Sequence, residues 1–195
     1  MEKKVLIVDY GSQSAKKIEK MYQAHQNNSE AEYSIDVKTE PEIKKIKPDE
    51  LANYHIVHHS GSMKRKLSDE TTNYIMENTK DAYHIGTCYG AQMLAKHHGV
   101  EAEKLDSHQK GKKEINTKNG KSHIHKNHSY GIPIGKNSEL EEIASSEQKF
   151  QDGKKENIYE VFKADKHIGI QGHAEQGCGK EIMYDVLNKI YNGQY

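Results

Sequence analysis

The chain has 195 residues, of which 33% are hydrophobic and 30% charged, with 29 basic residues balancing 29 acidic ones. That length suits one domain, residues 1–195, with a substantial core, and a formal net charge of zero removes any general electrostatic reason to expect nucleic acid or an anionic membrane as partner. Two cysteines, no leader-like start and no long apolar run argue against a disulfide-built secreted domain or a membrane span, so cytoplasm is the expected compartment.

Residues 5–8, Val-Leu-Ile-Val, form the continuous apolar run of a central parallel strand covered on both faces. Gly11 and Ser12 make the exit with Ser12 as a candidate cap, and 14–25 reads as a helix with Ala15, Ile18, Met21 and Tyr22 on one face. No G-x-G-x-x-G follows, which argues against a dinucleotide site. Residues 33–37 alternate as a strand, and 40–49, with two prolines, reads as a charged connector. The strand at 54–59 ends at Ser60-Gly61-Ser62. His58 and His59 invite a metal reading with His55, His84 or His173, but strand neighbours face opposite ways and the spacing matches no zinc motif, so no metal is expected. Lys64-Arg65-Lys66 reads as a solvated loop and 68–79 as a helix with Ser68 as candidate cap.

The chain is organised around residues 82–95, AYHIGTCYGAQMLA, which read as a buried strand turning sharply into a helix over 89–98. Gly86-Thr87-Cys88-Tyr89-Gly90 is the cysteine form of the G-x-S-x-G nucleophile elbow. Glycines two before and two after leave room for the turn, and the helix N-terminus at Tyr89 favours a thiolate at Cys88. A buried structural cysteine is the competing interpretation.

Beyond the elbow, 101–126 is polar and lysine-rich with Gly111 and Asn119-Gly120 as turn signals, and reads as a β-hairpin. Residues 140–145 and 157–164 look like strands around an Asp152-Gly153 turn, and 181–191 closes the chain as a helix with Ile182, Val186, Leu187 and Ile190 inward. Between them a short strand at 166–172 leads into His173-Ala174-Glu175. Residues two apart on extended chain share a side, so His173 can serve as base toward Cys88 while Glu175 fixes its tautomer. Cys178, five residues on, reads as structural, though sequence leaves an approach to Cys88 open.

Gly86 to Gln92 together with His173-Ala174-Glu175 resembles the class I, triad-type glutamine amidotransferases, and the opening Val5-Leu6-Ile7-Val8-Asp9-Tyr10-Gly11-Ser12-Gln13 is most similar to the glutaminase domain of GMP synthetase. The resemblance implies an α/β fold, flavodoxin-like, with a mainly parallel central sheet and helices on both faces. It implies hydrolysis of the glutamine side-chain amide through a thioester on Cys88, with ammonia passed to a separate ATP-pyrophosphatase synthetase subunit that converts XMP to GMP. ATP and magnesium would belong to that subunit, since the chain stops near Tyr195 with no synthetase domain and no cofactor of its own. By the same resemblance, backbone N–H groups of Gly61 and Tyr89 form the oxyanion hole, and Gln92, Asn127, His128 and Ser129 line the glutamine pocket. Four positions depart from the pattern: Ser62 stands for a glycine, Met63 and Ala174 for prolines, and Tyr130 for an aspartate. Two other readings stay open, a different Cys-His-Glu hydrolase such as a peptidase or γ-glutamyl hydrolase, and a non-catalytic regulatory or binding homologue.

Overall fold

The computed structural model describes residues 2–63, 69–135 and 139–195; Lys64-Arg65-Lys66 and Ser68 lie outside them. Nine strands form one sheet: β1 (Lys3–Asp9), β2 (Tyr33–Thr39), β3 (Ile56–His59), β4 (Tyr83–Thr87), β5 (Glu103–Thr117), β6 (Gly120–Gly131), β7 (Glu141–Lys149), β8 (Lys155–Ala164) and β9 (His167–Ile170). Their order is β2-β1-β3-β4-β9-β8-β7-β5-β6. The helices are α1 (Ser14–Asn27), α2 (Glu40–Ile43), α3 (Pro48–Leu51), α4 (Asp69–Asn78), α5 (Tyr89–His97) and α6 (Lys180–Tyr191). Thus two short helices, α2 and α3, occupy the stretch read as a charged connector. Each begins with a proline at its first turn, where the missing N–H costs nothing.

The sheet is mixed, which corrects the expectation of a mainly parallel one. Strands β2, β1, β3, β4 and β9 run parallel, whereas β8, β7, β5 and β6 join through antiparallel pairings. Tight turns impose this arrangement. Asn119-Gly120 closes the β5–β6 hairpin with Gly120 at φ +119°, Gly153 takes +91° between β7 and β8, and Asp165 takes +50° between β8 and β9. Aspartate tolerates the left-handed region better than most residues, and such turns are too short for a parallel crossover.

The apolar run of β1 is split between the two faces of the sheet. Val5 and Ile7 pack with Ala15, Ile18 and Tyr22 of α1 and Met183, Val186, Leu187 and Ile190 of α6. On the opposite face Leu6 and Val8 meet Ile43, Leu51, Ile75 and Ala91, Leu94 and Ala95 of α5. Both faces are covered by helices, as a buried parallel strand requires. In α6 the inward set includes Met183, while Ile182 is only partly buried.

At the end of β3 and the start of β4 the interior turns polar. His58, His59 and His84 are 0%, 0% and 1% exposed. Being adjacent on a strand, His58 and His59 point opposite ways: His58 lies 3.1 Å from Tyr22 Oη and 2.9 Å from Thr87 Oγ1, and His59 lies 2.6 Å from Tyr10 Oη and 3.0 Å from His84 Nδ1. Burial lowers the pKa of His58 to about 3, of His84 to about 4, and of His59 well below the usual value. All three are therefore neutral in the folded chain but would take up protons near pH 6.5 when unfolded. The unfolded state then binds more protons as pH falls, so stability declines from pH 6.5 downward. Three such sites remove about 4 kcal/mol between pH 7 and pH 5.5. Urea unfolding at the two pH values should show that loss; equal midpoints would contradict the buried neutral histidines.

Candidate active site

The sharp turn between β4 and α5 carries Cys88 at φ 53°, ψ −103°, one of only two non-glycine residues with positive φ among the described residues. Its N–H donates to Ile170 O at 2.8 Å, tying the turn to the neighbouring strand β9. The flanking glycines are demanded by close approach. A Cβ on Gly86 would stand 2.5 Å from the Gly90 carbonyl carbon and 2.6 Å from Ala91 N, and one on Gly90 would overlap the His59 carbonyl, 2.8 Å from its carbon. The motif therefore reports a three-way backbone contact between β3, the turn and α5.

His173 and Glu175 both reach this corner, though not by the pleat of a strand. β9 ends at Ile170, and the residues beyond it bend into a turn in which Gln176 N–H donates to His173 O at 3.0 Å. The turn brings His173 Nδ1 within 2.8 Å of Glu175 Oε1 and buries Ala174 completely. Burial disfavours the His173 imidazolium, but hydrogen bonds to Cys88 and Glu175 and electrostatic interaction with both outweigh it and push its pKa up to about 10. For Glu175 burial raises the pKa, yet the His173 contact and hydrogen bonds prevail and the net shift is downward. Cys88, His173 and Glu175 are each under 10% exposed. The other cysteine, Cys178, is free and half-buried, and Cys88 is also unpaired, so the two form no disulfide.

Sequence reading missed Ser14. Its hydroxyl donates to Glu175 Oε1 at 2.9 Å, and its oxygen receives the Gly61 N–H at a long 3.4 Å. It opens α1 and lies 161 positions from Glu175, so only the fold could pair them. Ser12 supplies the oxygen at the helix start by accepting from Ser14 N at 3.1 Å while donating to Gly61 O at 2.8 Å, although the cap position itself is Gln13. Ser62 is not among the residues with positive φ, so a serine at this position brings no left-handed strain; its hydroxyl donates to Tyr10 O at 3.2 Å.

A cavity of about 510 Å³ opens over Cys88 and His173, within the range of small-molecule sites. All the residues expected to bind substrate or oxyanion line it: Gly61, Tyr89, Gln92, Asn127, His128 and Ser129. Gln92 is 6% exposed and is anchored, donating from Nε2 to Gln171 Oε1 at 3.3 Å and Tyr130 O at 3.4 Å. His128 is buried, with Nδ1 2.8 Å from Tyr130 O; burial and the Lys126 charge lower its pKa to about 3. Its other ring nitrogen has no hydrogen-bond partner among the described residues. Asn127 and Ser129 are joined by a residue with no sequence signal, His108 of β5, whose Nε2 donates to Asn127 Oδ1 at 3.0 Å and whose Nδ1 lies 2.8 Å from Ser129 Oγ. Met63, 86% exposed, stands on the rim. No group of three metal-ligating side chains occurs among the described residues, and the buried histidines bond one another and hydroxyl groups instead. Among the described residues no helix is long and apolar enough to cross a membrane.

Two outcomes follow from this geometry. Gly90→Ala should cost about 3 kcal/mol because backbone must move on both sides of the contact, whereas Gly135→Ala, with no positive φ and no atom of the described residues within 4 Å, should be nearly neutral in the same urea titration. Cys88→Ala removes one of the two partners holding the His173 proton, so the imidazole should titrate below its wild-type value by NMR; an unchanged titration would mean that the thiol is not its partner.

No protein-family model and no curated protein sequence matches the chain. Solved structures do. A candidate GMP synthase subunit from Thermoplasma acidophilum superposes with a TM-score of 0.75 at 17% identity, covering 98% of this chain and 96% of its own. A glutamine amidotransferase from Thermotoga maritima gives 0.64 at 17% identity, covering 96% and 82%. A candidate ThuA-like protein from Bacteroides uniformis gives 0.65 at 10% identity, covering 97% and 91%. The chain shares its fold, over nearly its whole length, with solved structures that include glutamine amidotransferases.

Proposed function

We propose that this chain is a glutamine amidotransferase subunit that hydrolyses the side-chain amide of glutamine and delivers ammonia to a separate synthetase. The observation that carries the proposal is the linked set Cys88, His173 and Glu175 at a strained elbow, opening into a cavity whose lining includes Gln92, Asn127 and Ser129. The Cys88 sulfur attacks the carboxamide carbon, and the oxygen takes the negative charge opposite the N–H groups of Tyr89 and Gly61. His173, protonated at neutral pH, gives its proton to the departing nitrogen, the C–N bond breaks, and ammonia leaves a glutamyl thioester on Cys88. Water then attacks the thioester while His173 accepts a proton, the C–S bond breaks, and glutamate and the thiolate are released. Glu175, itself held by Ser14, keeps the imidazole oriented and stabilises its charge through both steps.

For the partner, the best fit is the ATP-pyrophosphatase subunit of GMP synthetase, which would use the ammonia to convert XMP to GMP. The opening strand and elbow support that choice, as does the near-complete overlap with the candidate GMP synthase subunit of Thermoplasma acidophilum. The Gly61 N–H rests on Ser14 Oγ, so this donor has to turn to meet an oxyanion. That favours a low rate for the chain alone and a higher one when a partner docks at the rim.

Glutamate release from glutamine by the purified chain tests the proposal, alone and with the GMP synthetase subunit, ATP and XMP. Wild type should release glutamate and Cys88→Ala should lose activity by at least about a thousandfold. Stimulation by the subunit would identify the partner. No release in either setting would sink the glutaminase reading for this pairing and leave the other thiol hydrolases or a binding role.

A further inference from the structure

The antiparallel half of the sheet curls back on itself. Three strands separate β6 from β9 in the sheet order, yet His173 N–H donates to His125 O of β6 at 2.7 Å. Gly172 also fits so closely against β6 that a Cβ there would lie 2.6 Å from Ile124 Cδ1. The last strand of the sheet therefore closes onto the segment that carries His173.

Ile115, Ile124, Ala144 and Val161 belong to the apolar cluster of this region, but two residues along from Ile124 and one before Val161 stand the two members of a salt bridge. Lys126 and Glu160 are both 0% exposed. Lys126 Nζ donates to Glu160 Oε1 and, at 3.0 Å, to Ser146 Oγ, and the Ser146 hydroxyl donates to Glu160 Oε1 at 2.6 Å. Glu160 Oε2 has no hydrogen-bond partner among the described residues. Glu160 is also the extra residue of a β-bulge: Ala144 pairs with Val161 and Ser145 with Tyr159, leaving Glu160 unmatched. Bulges bend a strand and re-aim a side chain. A buried ion pair, in turn, is weak evidence for stability, since apolar side chains of similar volume commonly serve as well.

Each end of the pair leads to the cavity. Lys126 immediately precedes Asn127 and His128, which line it. The Glu160 carbonyl accepts the Gln171 N–H at 2.8 Å, and Gln171 Oε1 accepts from Gln92, another lining residue. We propose that Lys126 and Glu160 are a positioning pair that sets how far the curled strand β6 closes over the cavity, and so sets the distance from Cys88 to the wall receiving the amino-acid end of glutamine. This rests on the glutaminase reading above. A charged link of fixed length holds one register, whereas an apolar contact holds the strand closed without specifying it.

The test compares Lys126→Met with the double variant Lys126→Met/Glu160→Leu in the full chain, using melting temperature, glutamine kinetics and the pH profile of Cys88 alkylation by iodoacetamide. The single variant leaves a buried carboxyl unpaired and should melt lower. The double variant should regain most of the melting temperature yet keep a KM for glutamine raised about tenfold, with kcat within about threefold. Its alkylation profile should match wild type, because the Cys88 N–H is fixed by Ile170 O and the His173 ring by Glu175, neither of which belongs to β6. A double variant with wild-type KM would overturn the proposal, as would one that fails to fold, since the pair would then serve folding and not position. If wild type itself releases no glutamate, the glutaminase reading has failed, and the positioning role is read from the His125 and His128 ring signals by NMR. Displaced signals in the double variant support it and superposable ones overturn it.

Discussion

Gly90 lies so close to the carbonyl of His59 that no side chain can come between them, and this contact pins the first turn of α5 to the end of β3. The neighbouring turn is correspondingly constrained: Cys88 holds a dihedral pair that an L-residue rarely adopts, at a cost on the order of 1–3 kcal/mol. What offsets that cost is distributed. The Cys88 N–H is bonded to β9, Gly86 packs on Gly90, and α5 buries Ala91, Leu94 and Ala95 against the sheet. Strain of this kind survives only where the surroundings over-determine it. The sulfur is held at the carboxyl ends of the parallel strands because three separate elements leave the turn nowhere else to go.

The two halves of the mixed sheet divide the work. The parallel half supplies the thiol at the end of β4 and, through β9 beside it, the chain that bends into His173 and Glu175. From the antiparallel half come His108 of β5 and Asn127 and His128 of β6, which line the far wall of the cavity. A purely parallel sheet would have left that wall to loops. The hairpin gives it a backbone ladder, and its return to His173 N–H makes one continuous rim.

The local features of this site were legible in the sequence, and its long-range partners were not. The elbow announced itself because glycine spacing is a local steric requirement, and the β1 run because burial on both faces leaves a four-residue apolar signature. His173 and Glu175 were found through residue type and spacing, although a turn and not a strand brings them together. Ser14, His108, Lys126 and Glu160 carry no such signature. Each is an ordinary polar residue whose role depends on a partner between 14 and 161 positions away. The mixed character of the sheet was half visible, since Asn119-Gly120 and Asp152-Gly153 are clear turns, but the Asp165 turn that reverses the chain into β9 has no glycine to mark it.

The row of groups from Tyr10 through His59 and His84 to Thr79 has a definite polarity. Thr79 gives its hydroxyl hydrogen to Ile75 O at 2.6 Å, and the Thr79 carbonyl lies 3.3 Å from His84 Nε2, so both oxygens facing that nitrogen can only accept. The hydrogen therefore sits on His84 Nε2, which leaves its Nδ1 to accept from His59 Nε2 and leaves His59 Nδ1 to accept from Tyr10 Oη. One threonine at the end of a helix thus assigns the tautomer of two imidazoles and the direction of a phenol that packs edge-on against Tyr89, beside the thiol. The ground beneath the elbow is an oriented row of dipoles whose sense is dictated from its far end.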